Sequence, residues 1–156
     1  MKRLLLFFVC AALVCPLALA LFAGCAGEGE RSTYTIDAAY EDGTLTAEMT
    51  FGYCNDTGAE QEELRFNLCG NAYREGAAYA PVSKNFAASA YYAGESYGEM
   101  RISSVSPCAE WEVCGADENV LRVRLASPVP AGGRCEISVA YTLTLANVDH
   151  RTGVAE

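Results

Sequence analysis

The chain's 156 residues hold 11 Lys and Arg against 20 Asp and Glu, a formal net charge of −9 at pH 7. Lys2 and Arg3 are the only basic residues before Ala26, so the remainder carries −11, which argues against nucleic acid or an anionic membrane face as partner. The 131 residues from Ala26 onward are enough for one domain that buries about two-thirds of its surface.

Lys2 and Arg3 form a short basic n-region, and Leu4 to Phe22 is an uncharged apolar run closed by Ala23-Gly24-Cys25. This pattern reads as a signal segment over 1–25. Its ending resembles the lipobox of bacterial lipoproteins, in which Cys25 would be acylated and become the new N-terminus. A retained signal anchor and plain cleavage after Ala18-Leu19-Ala20 are the alternatives. At about 1.5 Å per residue the run could nearly cross a hydrocarbon core as a helix. All three place the rest of the chain outside the cytoplasm: on the outer face of the cell membrane as a lipoprotein, or secreted. The small and polar stretch 26–32 reads as a tether.

From Thr33 the hydrophobic period is two. Tyr34, Ile36, Ala38 and Tyr40 share one face, and Asp42-Gly43 supplies the positive φ of a tight hairpin. Leu45, Ala47, Met49, Phe51 and Tyr53 share a face of the return strand. Asn55-Asp56-Thr57-Gly58 turns the chain, and Leu64, Phe66 and Leu68 alternate with Arg65 and Asn67. Three consecutive half-buried antiparallel strands are expected, with Cys54 opposite about residue 63 if the register runs straight through the turn. Residues 71–97 form a long Ala- and Tyr-rich excursion with one short helix expected near Val82–Ala90. Tyr91, Tyr92 and Tyr97 are expected to pack under it. Alternation resumes at Met100 and Ile102, then at Trp111 and Val113, Leu121 to Leu125, and Cys135 to Leu145. Short strands between Gly, Pro and Asn turns predict an all-β antiparallel sandwich over 33–156.

Five cysteines remain after the signal segment: Cys54, Cys69, Cys108, Cys114 and Cys135. Their odd number leaves at least one thiol unpaired or bridged to another chain. In the straight register Cys54 and Cys69 would lie roughly 20 Å apart, beyond the about 7 Å between Cα atoms that a disulfide permits. Cys108 and Cys114 are the one candidate pair, and Cys135 on an apolar face reads as a buried small hydrophobe.

Little in the chain carries reaction chemistry. A zinc peptidase needs two histidines one helical turn apart with a glutamate between them, and His150 is the only histidine. No Gly-x-Ser-x-Gly elbow is present for a serine nucleophile, and His150 reads as an exposed loop residue. Glu62 and Glu63 point to opposite faces of a strand. Asn55-Asp56-Thr57 matches a glycosylation acceptor, although a turn explains it. No catalytic, cofactor-binding or metal-ligating residue is assigned, and Cys25 is the one candidate modification site.

Leu64-Arg65-Phe66-Asn67-Leu68-Cys69-Gly70-Asn71-Ala72-Tyr73-Arg74 resembles the Leu-x-Phe-x-Leu-Tyr-Pro-Asn-Ala-aromatic-Arg segment of aminopeptidase-N-like zinc metallopeptidases, with Cys69 and Gly70 replacing the aromatic and proline. Tyr34 to Tyr40, Thr44 to Asn55, Gly94 to Val105, Leu121 to Tyr141 and Arg151-Thr152-Gly153 are similar to further steps of that family, in order. The resemblance implies the saddle-like β-sandwich domain that precedes the catalytic domain and flanks its peptide-binding cleft, incomplete at its C-terminus. It also implies an exported, membrane-tethered parent enzyme that removes N-terminal residues from peptides. Zinc would belong to the downstream catalytic domain, which becomes a partner together with the peptide. The alternative is a self-standing cell-surface lipoprotein sandwich that binds a partner.

Overall fold

The structure, a computed structural model, describes residues 31–79 and 81–155. The signal segment, Cys25 and all of the tether before Arg31 lie outside the described residues. Alternating apolar residues drive two packed sheets. Strand β1 (Thr33–Glu41) and β2 (Thr44–Cys54) form a hairpin through Asp42 and Gly43, whose φ values of 44° and 76° match the right-handed strand twist of a type I′ turn. β2 also pairs with β7 (Arg134–Thr144), and β7 with β4 (Glu99–Ser106), giving an antiparallel sheet of order β1-β2-β7-β4. The second sheet sets β6 (Val120–Val129) between β3 (Gln61–Asn67) and β5 (Glu110–Cys114). β8 (Ala146–Asn147) and β9 (Gly153–Val154) add a short parallel pair.

Between the sheets Phe51, Ile137, Val139 and Val105 meet Leu64, Leu121, Val123 and Leu125. The expected all-β antiparallel sandwich is the observed fold. A register shift between Ile102 and Ser104 lets Val105 enter this core although strict alternation from Met100 and Ile102 would turn it outward. Phe51 joins the layers, stacking on Tyr34 at 4.5 Å between ring centroids and meeting Phe66 edge-on at 5.3 Å.

Two expectations are corrected. β2 and β3 do not form a hairpin: Cys54 lies opposite Arg134, and β3 pairs with β6 in the other sheet. The chain changes sheets at Asn55, whose side chain is 0% exposed. Its Nδ2 donates to the carbonyls of Ala59 at 2.7 Å, Val129 at 2.8 Å and Pro130 at 3.1 Å, while its Oδ1 accepts from the Thr57 amide and hydroxyl at 3.1 and 2.7 Å. Backbone bonds Asn55 N to Gly133 O and Gly132 N to Asn55 O complete the knot. The glycosylation-like triplet is therefore a sheet-switching corner, with the acceptor nitrogen already engaged inside the protein.

The second correction concerns β1, expected to be half-buried. All nine of its residues are exposed. A three-stranded layer facing a four-stranded one leaves a strand uncovered, and here that strand is β1.

Replacing Asn55 with Ala would leave several buried carbonyls without donors, an expected loss of about 2–4 kcal/mol. Asn55→Asp keeps the shape but turns an acceptor toward three carbonyl oxygens, so it should destabilise at least as much as Ala. Urea unfolding followed by the fluorescence of Trp111, which packs against the core, reads both. Midpoints unchanged from wild type would show that the corner does not depend on this side chain.

Candidate functional site

Residues 68–98 leave β3 and return to β4, and buried polar groups hold this excursion in place. A 3₁₀ turn (Cys69–Tyr73) follows β3. Within it Asn71 donates from Nδ2 to the Glu118 carbonyl at 2.6 Å and accepts the Met100 amide at 2.6 Å. Gly70 packs so closely that a Cβ there would meet Leu143 Cδ1 at 2.5 Å. Arg74 spans Glu99 at 3.4 Å and Glu118 at 2.7 Å. The buried Asp117 carboxylate accepts the Ala78 and Tyr79 amides at 2.6 and 3.3 Å. A short helix, α1 (Ala87–Ala90), lies within the expected span but covers only its end.

Under the excursion sits a second apolar cluster of Tyr73, Val82, Ala90, Ala146 and Val148, with Tyr91 packed against it. Of the three tyrosines expected there, Tyr91 is half-buried, while Tyr92 and Tyr97 are exposed. Tyr97 separates two concavities. One, of about 380 Å³, is lined by Ala87, Ala88, Tyr91 and Glu95; the other, of about 570 Å³, by Arg74, Glu75, Glu99 and Arg101. The Glu95 carboxylate beside it raises the Tyr97 phenol above its ordinary pKa, with slight burial and Glu75 adding to the effect.

His150 is exposed, as expected, but not idle. The Tyr73 hydroxyl lies 2.6 Å from its Nδ1, which ties the excursion to the segment after β7. The Asp149 amide donates to the Ala90 carbonyl at 2.9 Å, and the Tyr92 hydroxyl to the Val154 carbonyl at 3.0 Å. In a Ser-His-Asp triad a carboxylate orients the imidazole through Nδ1. Here a phenol occupies that atom, so the arrangement does not form a triad. Among the described residues no three His, Cys, Asp or Glu converge, and the one imidazole is held by Tyr73.

All five described cysteines are free thiols. Cys54 and Cys69 are unbonded, as expected, but not through the expected register: Cys54 ends β2 opposite Arg134, and Cys69 opens the 3₁₀ turn that follows β3 in the other sheet. The Cys108–Cys114 candidate pair is corrected: β5 runs extended between them and spans about 13 Å at 3.3 Å per residue. Cys69 is exposed, and Cys135 packs against the core, where burial pushes its thiol pKa up. Brief iodoacetamide treatment of the native protein at pH 8 should modify Cys69 first and Cys135 last, and unfolding without reductant should release all five. Peptide mass spectrometry gives the order; equal rates at Cys69 and Cys135 would contradict the packing.

No family model, no curated protein and no solved structure matches the chain. Cys25, the one residue singled out from the sequence for modification, lies outside the described residues. Sequence reasoning missed the free edge of β1, because alternation shows which residues share a face but not whether anything covers it.

Proposed function

We propose that the chain is the non-catalytic N-terminal domain of an exported, membrane-tethered zinc aminopeptidase-like metallopeptidase, flanking a peptide-binding cleft formed with a downstream catalytic domain. The observation that carries this reading is the segment from Leu64 to Arg74. Each position it shares with the family's pattern has a structural task here: Leu64 and Leu68 enter the core with Phe66 packed against it, Ala72 and Tyr73 join the second cluster, Asn71 joins the excursion to β4, and Arg74 joins two glutamates. These roles are compatible with a segment that serves architecture rather than chemistry. The zinc and general base belong to the catalytic domain, and this chain's residues supply packing and surface. A self-standing lipoprotein module that binds a partner is the second reading, favoured by the uncovered β1.

The purified chain should hold no stoichiometric zinc and hydrolyse no aminoacyl reporter. Metal-dependent turnover would overturn the inactive-domain reading. In the genomic sequence, an open frame running on past Glu156 into a His-Glu-x-x-His helix supports the metallopeptidase, and a stop codon supports the binding module. For the anchor, cells fed labelled palmitate should lipidate the wild-type chain but not the Cys25→Ser variant. Absence of label from wild type would eliminate the lipoprotein assignment.

A further inference from the structure

Among the described residues no strand pairs with the outer edge of β1, and that edge differs from every other edge of the sandwich. Edge strands expose unpaired backbone donors and acceptors, and proteins blunt them with bulges, prolines, lysines or brevity. β4 carries the register shift between Ile102 and Ser104, β3 one between Gln61 and Glu63, and β5 has five residues. β1 has nine residues paired to β2 without interruption, and contains neither Pro nor Lys.

Its backbone polarity follows from the hairpin. In a two-residue I′ turn the residues flanking the loop, Glu41 and Thr44, form a hydrogen-bonded pair, and such pairs alternate along an antiparallel ladder. Thr33, Thr35, Asp37, Ala39 and Glu41 therefore direct N–H and C=O toward β2. Tyr34, Ile36, Ala38 and Tyr40 direct theirs outward, to the free edge. The same residues carry the uncovered apolar face, where Tyr34 is 60%, Ile36 55% and Tyr40 58% exposed.

The opposite face adds a charge requirement. Asp37 lies directly opposite Glu48 in the register, and like charges so placed destabilise a sheet. Among the described residues neither carboxylate has an ion-pair partner. A strand laid against β1 would bring its own side chain beside Asp37, and a Lys or Arg there would complete the row.

We propose that β1 is a docking edge for an extended peptide that adds to the sheet antiparallel, with apolar side chains over Ile36 and Ala38 and a Lys or Arg opposite Asp37. Backbone bonds supply affinity that tolerates sequence variation, and the alternating side chains supply selectivity. A second copy of this chain fits less well. β1 contains no basic residue, so no register of β1 against itself supplies the cation, and the register centred on Asp37 sets two Asp37 carboxylates together beside two Glu48. The inference does not depend on a zinc domain, since a self-standing surface module would use the same edge.

The test uses the full chain in detergent and a fluorescent heptapeptide of alternating Val and Lys. One control peptide replaces Lys with Glu; another is N-methylated at alternate amides. The informative variant is Ala38→Pro: its lost N–H points to the free edge, so the β1–β2 ladder keeps every bond. Circular dichroism checks that the fold is retained. Anisotropy should show saturable binding of the Lys peptide, weakened about tenfold or more by Ala38→Pro and by N-methylation, since each removes edge hydrogen bonds. The Glu peptide should bind more weakly, and Asp37→Ser should narrow that difference. No binding by wild type, binding unaffected by Ala38→Pro, or equal affinity for the Lys and Glu peptides would overturn the proposal. So would a dimer in sedimentation that Ala38→Pro dissolves, because the edge would then be occupied by a second copy.

Discussion

The two sheets are joined at one corner by the carboxamide of Asn55, and the arrangement of everything else follows from that joint. β2 ends there in one sheet and β3 begins beyond it in the other. The carbonyls that accept from Nδ2 come from the turn after β2 and from the end of β6, while the backbone bonds reach the turn before β7. A buried amide is suited to the task because one group donates and accepts at once, and an unmet buried polar group is costly. With β3 committed to the second sheet, β2 has room for β7 on one side and β1 on the other. The central pairing of the first sheet thus joins residues about eighty to a hundred positions apart, from Cys54 against Arg134 to Thr44 against Thr144.

The mismatch of four strands facing three has consequences of its own. Phe51 and Phe66 close the core toward β1, and Tyr34 stacks on Phe51 as the last aromatic contact before solvent. Beyond it the side chains of β1 have lost most of the burial that would stabilise a strand. Pairing with β2 and the I′ turn hold it in place. β1 therefore combines a well-defined backbone with an unsatisfied apolar surface, which is the condition for binding an extended segment at small ordering cost.

Much of the fold was legible because period-two alternation reports half-buried strands directly: Leu45 to Tyr53, Leu121 to Leu125 and Cys135 to Leu143 lie in strands, and only Leu145 of the expected run falls just beyond β7. The Asp42-Gly43 turn was legible for a different reason, since few dipeptides adopt two positive φ values in succession. What alternation does not encode is partnership. Leu64 and Phe66 alternate identically whether β3 pairs with β2 or crosses to β6, and the choice rests on the buried amide of Asn55, which looks like an ordinary turn residue in sequence. Val105 shows the same limit on a smaller scale, because the bulge that turns it inward leaves no mark on the pattern. The candidate sites were less legible still. Glu48 and Asp37 are eleven positions apart in the chain and become neighbours only through the hairpin register.

Several polar side chains of the excursion and its surroundings are committed to architecture. His150 is held at Nδ1 by Tyr73, Asp117 caps two amides of the excursion, and Asn71 bridges two segments. Cys135 is packed and its thiolate disfavoured. Withdrawing the His150 ring would leave the buried Tyr73 hydroxyl without this partner, at a stability cost of about 1–3 kcal/mol. Surfaces carry no such conflict. The exposed tyrosines of the excursion, the Glu75 and Glu95 carboxylates beside Tyr97, and the β1 edge can all be engaged without disturbing the core. The β1 strand, paired on one side only among the described residues, presents its backbone in the extended geometry that the proposed docking uses.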